Sequence, residues 1–140
     1  MPSVGEIWID NDFYGDGTKK KFFVIAAIAQ GYITVRRTTS KAHGRATDPA
    51  CFVGAPHSAF FLDQPAPFWL PTWLCLELVD DVDDADFARD VRTGKYALQG
   101  AIPKPLLCQA LRCMVSAGQK DVTNRQRRVI ADAIAVLGCP

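Results

Sequence analysis

The stretch KKFFVIAAIAQGYITVRRTTSK, residues 20–41, decides the fold. Its first part, FFVIAAIA at 22–29, is apolar without interruption, the pattern of a strand covered on both faces. Gln30-Gly31 breaks the run, and YITVRRTTS at 32–40 is rich in β-branched and aromatic residues. The pair predicts a β-hairpin closed at Gln30-Gly31. In that register Lys21 faces about Ser40, and Phe23 faces about Thr38. The two basic clusters, KKK at 19–21 and RRTTSK at 36–41, then meet at the open end of the hairpin, where a local anion site would form.

Outward from the hairpin, the first half of the chain reads as further strands. EIWID at 6–10 follows Gly5, and NDFYGDG at 11–17 is a polar loop. Residues 41–58 are loop, with one short strand near Cys51–Val53, and SAFFL at 58–62 is a strand. QPAPFWLP at 64–71 is a proline-punctuated turn that cannot be a central strand, and TWLCLELV at 72–79 resumes the strand pattern. The second half reads as helix. DDVDDADFARDVRTG at 80–94 has acids at its front and Thr93-Gly94 at its end. Pro103 and Pro105 suit a first helical turn, after which Leu106, Leu107, Ala110, Leu111 and Met114 recur at helical spacing up to Gly118. Thr123 and Gln126 form a capping box ahead of Val129, Ile130, Ala133, Ile134 and Leu137. The expected fold is therefore α+β, mainly β: one domain over 1–140, with a small β-barrel or strongly twisted sheet in 1–79 and a mainly helical part in 80–140.

Composition narrows the function classes. At 140 residues, 49% hydrophobic and 22% charged, the chain is long and apolar enough for an ordinary folded domain. A net charge of +1 removes the argument from a globally basic protein to a nucleic-acid partner. The total hides a partition, however. Residues 1–45 carry seven basic side chains against four acidic, 46–93 two against nine, and 94–140 seven against two. No apolar run is long enough to cross a membrane, and MPSVGEIWIDND lacks the basic lead and apolar core of a signal peptide. Cys51, Cys75, Cys108, Cys113 and Cys139 are odd in number and include no CxxC pair. Free thiols in a reducing cytoplasm are therefore expected, rather than a disulfide framework or a zinc site.

Few residues offer chemistry. His43 and His57 are the histidines, and a Cys51–His57 dyad would need a proximity that spacing does not supply. The run Asp80, Asp81, Asp83, Asp84 and Asp86 lacks the spacing and turn glycine of a calcium loop, and reads as solvated acids at a helix start. No phosphate-binding loop, dinucleotide fingerprint or serine elbow occurs, so no cofactor or metal is expected. Trp8, Trp69 and Trp73 are expected in the core. What remains is the constellation of Lys19, Lys20, Lys21, Arg36, Arg37 and Lys41 with Thr38, Thr39 and Ser40. Cations and hydroxyl donors converging at one place can hold a phosphate or stabilise a phosphorane-like transition state.

GEIWID at 5–10, GDG at 15–17, KKFFVIAA at 20–27 and ITVRRTTSK at 33–41 together resemble the MazF/PemK/Kid family of toxin ribonucleases, which share a fold with the gyrase poison CcdB. The resemblance covers roughly the first 45 residues. It implies an SH3-like or CcdB-like barrel, a homodimer, cleavage of single-stranded RNA without a metal, and neutralisation by a small antitoxin protein. It also implies roles. Lys21 stands where the family has its catalytic arginine, and Phe22 where it has a proline. Thr38 matches the catalytic threonine, with Thr39 beside it. Lys19, Lys20, Arg36, Arg37, Thr39, Ser40 and Lys41 would hold the RNA. Lysine lacks the planar two-pronged donor of arginine, which favours a rival reading. In that reading the barrel is non-catalytic and binds a nucleic acid or, in the CcdB manner, a protein.

Overall fold

A computed structural model describes residues 2–64, 66–118 and 121–140. Among them are seven strands and three helices: β1 Glu6–Asp10, β2 Lys21–Ala29, β3 Tyr32–Thr39, β4 Cys51–Phe52, β5 Ala59–Leu62, β6 Thr72–Asp83, α1 Asp84–Arg92, β7 Tyr96–Ala101, α2 Lys104–Ser116 and α3 Asn124–Leu137. The strands form one antiparallel sheet in the order β4-β5-β6-β3-β2-β1-β7. β4 and β7 are its two edges, and no pairing joins them among the described residues, so hydrogen bonding does not close the sheet into a barrel. The α+β class and the mainly antiparallel sheet match the sequence reading. Pro65, part of the expected 64–71 turn, lies outside the described residues.

Beyond Lys21, β2 is apolar because both of its faces are covered over most of its length. Val24 and Ala26 belong to a core with Ile7, Leu74 and Leu76 under α2 and α3, where Leu107, Leu111, Met114 and Ile130 pack. Phe23 and Ile25 belong to a second core with Trp8, Ile33, Val35 and Phe87 of α1. Gly5 enters β1 at φ +92°, a conformation that favours glycine, and an added Cβ there would stand 2.6 Å from Leu107 Cδ2 of α2, whose side chain would have to shift.

Two irregularities displace the expected pairing. Near the turn the hairpin keeps the predicted register, with Ala29 opposite Tyr32, but a bulge between Ile25 and Ala27 moves Phe23 from Thr38 to Arg37. A larger break follows in β3–β6. Arg36 pairs with Val79 and Thr38 with Leu74, so Arg37 alone stands opposite four residues of β6.

The second half departs further from the sequence reading. Strand β7 lies in it and adds to the sheet beside β1, so 80–140 is not helical throughout. β6 continues through Asp83, which places Asp80, Asp81 and Asp83 at a strand end rather than in a helix. Asp83 then caps α1, its carboxylate accepting from Ala85 N at 2.8 Å and Asp86 N at 3.3 Å. The expected capping box at α3 is present, with Thr123 Oγ1 accepting from Gln126 N and Thr123 N donating to Gln126 Oε1, both at 3.1 Å. The cysteines are a correction as well. Cys51 is bonded to Cys113 and Cys108 to Cys139, leaving Cys75 as the free, buried thiol.

Candidate nucleic-acid groove

The open end of the β2–β3 hairpin borders a groove of about 300 Å³. Four of its lining residues are lysines (Lys19, Lys20, Lys21, Lys41), four carry hydroxyls (Thr38, Thr39, Ser40, Thr72) and four are apolar (Phe22, Phe68, Trp69, Leu70). Seven of the nine residues singled out in the sequence therefore meet in one cavity, and among the described residues no acidic side chain lines it.

Each side chain is placed by its element. Lys19 and Lys20 end the loop before β2, while Lys21 opens the strand opposite Asp10 of β1. The Lys21 ammonium also lies 5.4 Å from the centroid of the Phe13 ring. Thr38 and Thr39 follow the β3–β6 break, opposite Leu74 and Trp73. Thr38 is buried, and its hydroxyl donates to the carbonyl of Phe22 at 3.3 Å, tying the end of β3 to the start of β2. Thr39 Oγ1 accepts from Lys41 N at 3.2 Å and so turns the chain out of the strand. Arg45 fixes the loop beyond, donating to the carbonyl of Lys41 at 3.1 Å and to Glu77 at 3.4 Å.

Arg36 and Arg37 are not in the groove, which corrects the expectation that they hold RNA there. Arg36 is fully buried. Its Nη1 donates at 2.8 Å to the carbonyl of Leu76, inside the β6 segment displaced by the break, while Nε and Nη2 have no hydrogen-bond partner among the described residues. Burial pulls its guanidinium down to about 10, opposed by the nearby charges of Asp81 and Asp121. Arg37 projects to the other side of the sheet. There it pairs with Asp80 and stacks on Phe13, 4.4 Å from the ring centroid, beside a small cavity shared with Tyr96 and Val82. Lys21 reaches that cavity too and so stands at the rim between the two sides.

The other candidates are otherwise engaged. Cys51 is in its disulfide, and His57 Nδ1 bonds Glu77 Oε1 at 2.6 Å, so no Cys51–His57 dyad forms. Asp80 and Asp81 are not solvated helix-start acids. Asp80 pairs with Arg37, while Asp81 accepts from Thr34 at 2.7 Å and pairs with Arg125. Among the described residues, no three His, Cys, Asp or Glu side chains gather as metal ligands.

Sequence reasoning missed the far wall. Phe68 is buried and meets Phe22 edge-on at 5.2 Å, which seats this residue of the loop against the hairpin. Trp8 and Trp73 lie in the core as expected, but Trp69 is 95% exposed and Leu70 is 62% exposed. A signal was available: Phe-Trp-Leu lies between Pro67 and Pro71, in a segment that cannot enter a sheet and bury all three. No helix of the described residues is long and apolar enough to cross a membrane. The chain matches no protein-family model, no curated protein and no solved structure.

Proposed function

We propose that the groove binds single-stranded RNA, and that the protein is a metal-independent endoribonuclease of the MazF/PemK kind acting as the toxin of a toxin–antitoxin pair. One observation carries the reading: four lysines and four hydroxyl residues converge in a single cavity with no acid in its lining. Such a lining attracts phosphate and repels nothing about it. In this reading the protein works in the cytoplasm as a homodimer held in check by a small antitoxin.

The chemistry needs little from the protein. The RNA 2′-oxygen attacks the adjacent phosphorus and loses its proton, the bond from phosphorus to the 5′-oxygen breaks, and that oxygen gains a proton. The products are a 2′,3′-cyclic phosphate and a 5′-hydroxyl. Lys21 neutralises the charge that grows on the phosphorane, and Thr38 directs its hydroxyl to a phosphate oxygen, giving up its bond to Phe22. Lys19, Lys20, Lys41, Thr39 and Ser40 hold the neighbouring backbone.

A second reading, binding without cleavage, is favoured by the same lining, which offers no imidazole, carboxylate or thiol to take the 2′-hydroxyl proton. The two readings separate in one assay, with purified protein incubated with a long single-stranded RNA in EDTA. Discrete fragments ending in 2′,3′-cyclic phosphate are expected, and Lys21→Ala and Thr38→Ala should each slow their appearance by about a hundredfold. Intact but saturably bound RNA establishes the second reading. RNA neither cut nor bound by folded protein overturns both.

A further inference from the structure

We infer that Trp69 is a stacking platform for an unpaired nucleobase, so that the groove takes a strand by its phosphates and one of its bases together. The inference rests on the groove being a nucleic-acid site and adds which part of the ligand is read, and by what.

Trp69 differs from the other two indoles in every respect that burial controls. Trp8 and Trp73 are buried, and their Nε1 groups donate to Glu6 Oε1 at 3.2 Å and to the Ala46 carbonyl at 2.8 Å. Trp69 is 95% exposed, and among the described residues its ring meets no other ring and its N–H has no partner. A large apolar surface left in water on a held backbone is available for a ligand. The backbone is held: on one side Phe68 is buried against Phe22, and on the other the Leu70 carbonyl accepts from Thr72 Oγ1 at 2.9 Å.

Charge selects the occupant. The ring shares its cavity with four lysines and no acid, so what lies on it is anionic. An anion with a flat π-face beside several negative groups is a nucleic-acid strand. The strand is single, because in a duplex both faces of each base are already covered. Stacking of this kind tolerates any base, since every base has a π-face, and phosphate contacts from lysine are equally indifferent to sequence. The groove therefore discriminates by strandedness.

The ring supplies its own reporter. A short single-stranded oligomer of 2′-O-methyluridine, which the 2′-hydroxyl route cannot cleave, should quench the fluorescence of the exposed indole. An abasic strand of equal length should bind at least about tenfold more weakly and leave the fluorescence unchanged. Trp69→Ala should bind the uridine oligomer as weakly as the wild type binds the abasic strand, and Trp69→Phe should recover most of the affinity. If Trp69→Ala binds as tightly as the wild type while Lys20→Ala loses affinity, the stacking role is overturned and the groove stands. If the wild type binds neither strand, the groove reading fails and takes the platform with it. Fluorescence that follows protein concentration but not oligomer would place a second copy of the chain on the ring and overturn the inference.

Discussion

Arg36 and Lys21 are both basic residues of the hairpin strands beside apolar runs, yet only Lys21 reaches the groove. Arg36 is buried in the sheet opposite Val24 of β2, and its Nη1 donates to the Leu76 carbonyl in the β6 segment displaced by the β3–β6 break. A methionine there would fill much of the same volume but leave that buried carbonyl unpaired, which costs about 1–3 kcal/mol. Removing the buried charge and its two unpartnered nitrogens offsets that cost, so Arg36→Met is expected to melt near the wild-type temperature and to bind RNA unchanged per folded molecule. A variant with wild-type melting but several-fold weaker RNA binding would return Arg36 to the groove. The lysine and hydroxyl members of the site were legible because strand pairing alone brings both ends of a hairpin together. The side to which Arg36 and Arg37 point was not, because a bulge exchanges the faces of all residues beyond it and no glycine or proline marks the breaks at Ala26 or Arg37.

Elements were legible where an apolar period or a cap announced them, as in β2, β3, α2 and α3. They were obscure where pairing alone made them. β7, YALQGA, has a burial pattern with no alternation because it lies at the sheet edge beside β1, and Asp80–Asp83 form a strand against β3 despite the poor β-propensity of aspartate. The same limit hid the disulfides, since cysteine spacing does not reveal which elements pack together. Cys51–Cys113 ties β4 to α2, and Cys108–Cys139 ties α2 to the chain beyond α3, over separations of 62 and 31 residues. Loop closure on this scale stabilises by about 4 kcal/mol each in the chain-entropy model. Denatured, unreduced protein should therefore show one reactive thiol per chain, that of Cys75, and reductant should lower the melting temperature markedly. Five reactive thiols, with melting indifferent to reductant, would remove both bonds. Because a reducing cytoplasm opposes such bonds, RNA cleavage should be measured with and without reductant.

At the scale of the whole molecule, a net charge of +1 conceals how the charges are spent. Five of the nine acids of residues 46–93 are held in ion pairs: Asp80 with Arg37, Asp81 with Arg125, Asp86 and Asp90 with Arg89, and Glu77 with Arg45 and His57. Among the described residues no ion pair engages Lys19, Lys20, Lys21 or Lys41, so the groove keeps its field although the sum is close to zero. This division has a measurable consequence. If all four lysines contact phosphates of a single strand, log K for RNA should fall with log salt at a slope of about −3, and each Lys→Ala change should reduce that slope by about 0.7. Arg37→Ala removes as much formal charge but frees Asp80 on the far side of the sheet, so it should leave the slope nearly unchanged. Equal loss of slope from Arg37→Ala and Lys20→Ala would show that RNA senses only total charge, and the groove would lose its claim as the site. A slope that responds to the lysines alone places the phosphates where the acids are absent.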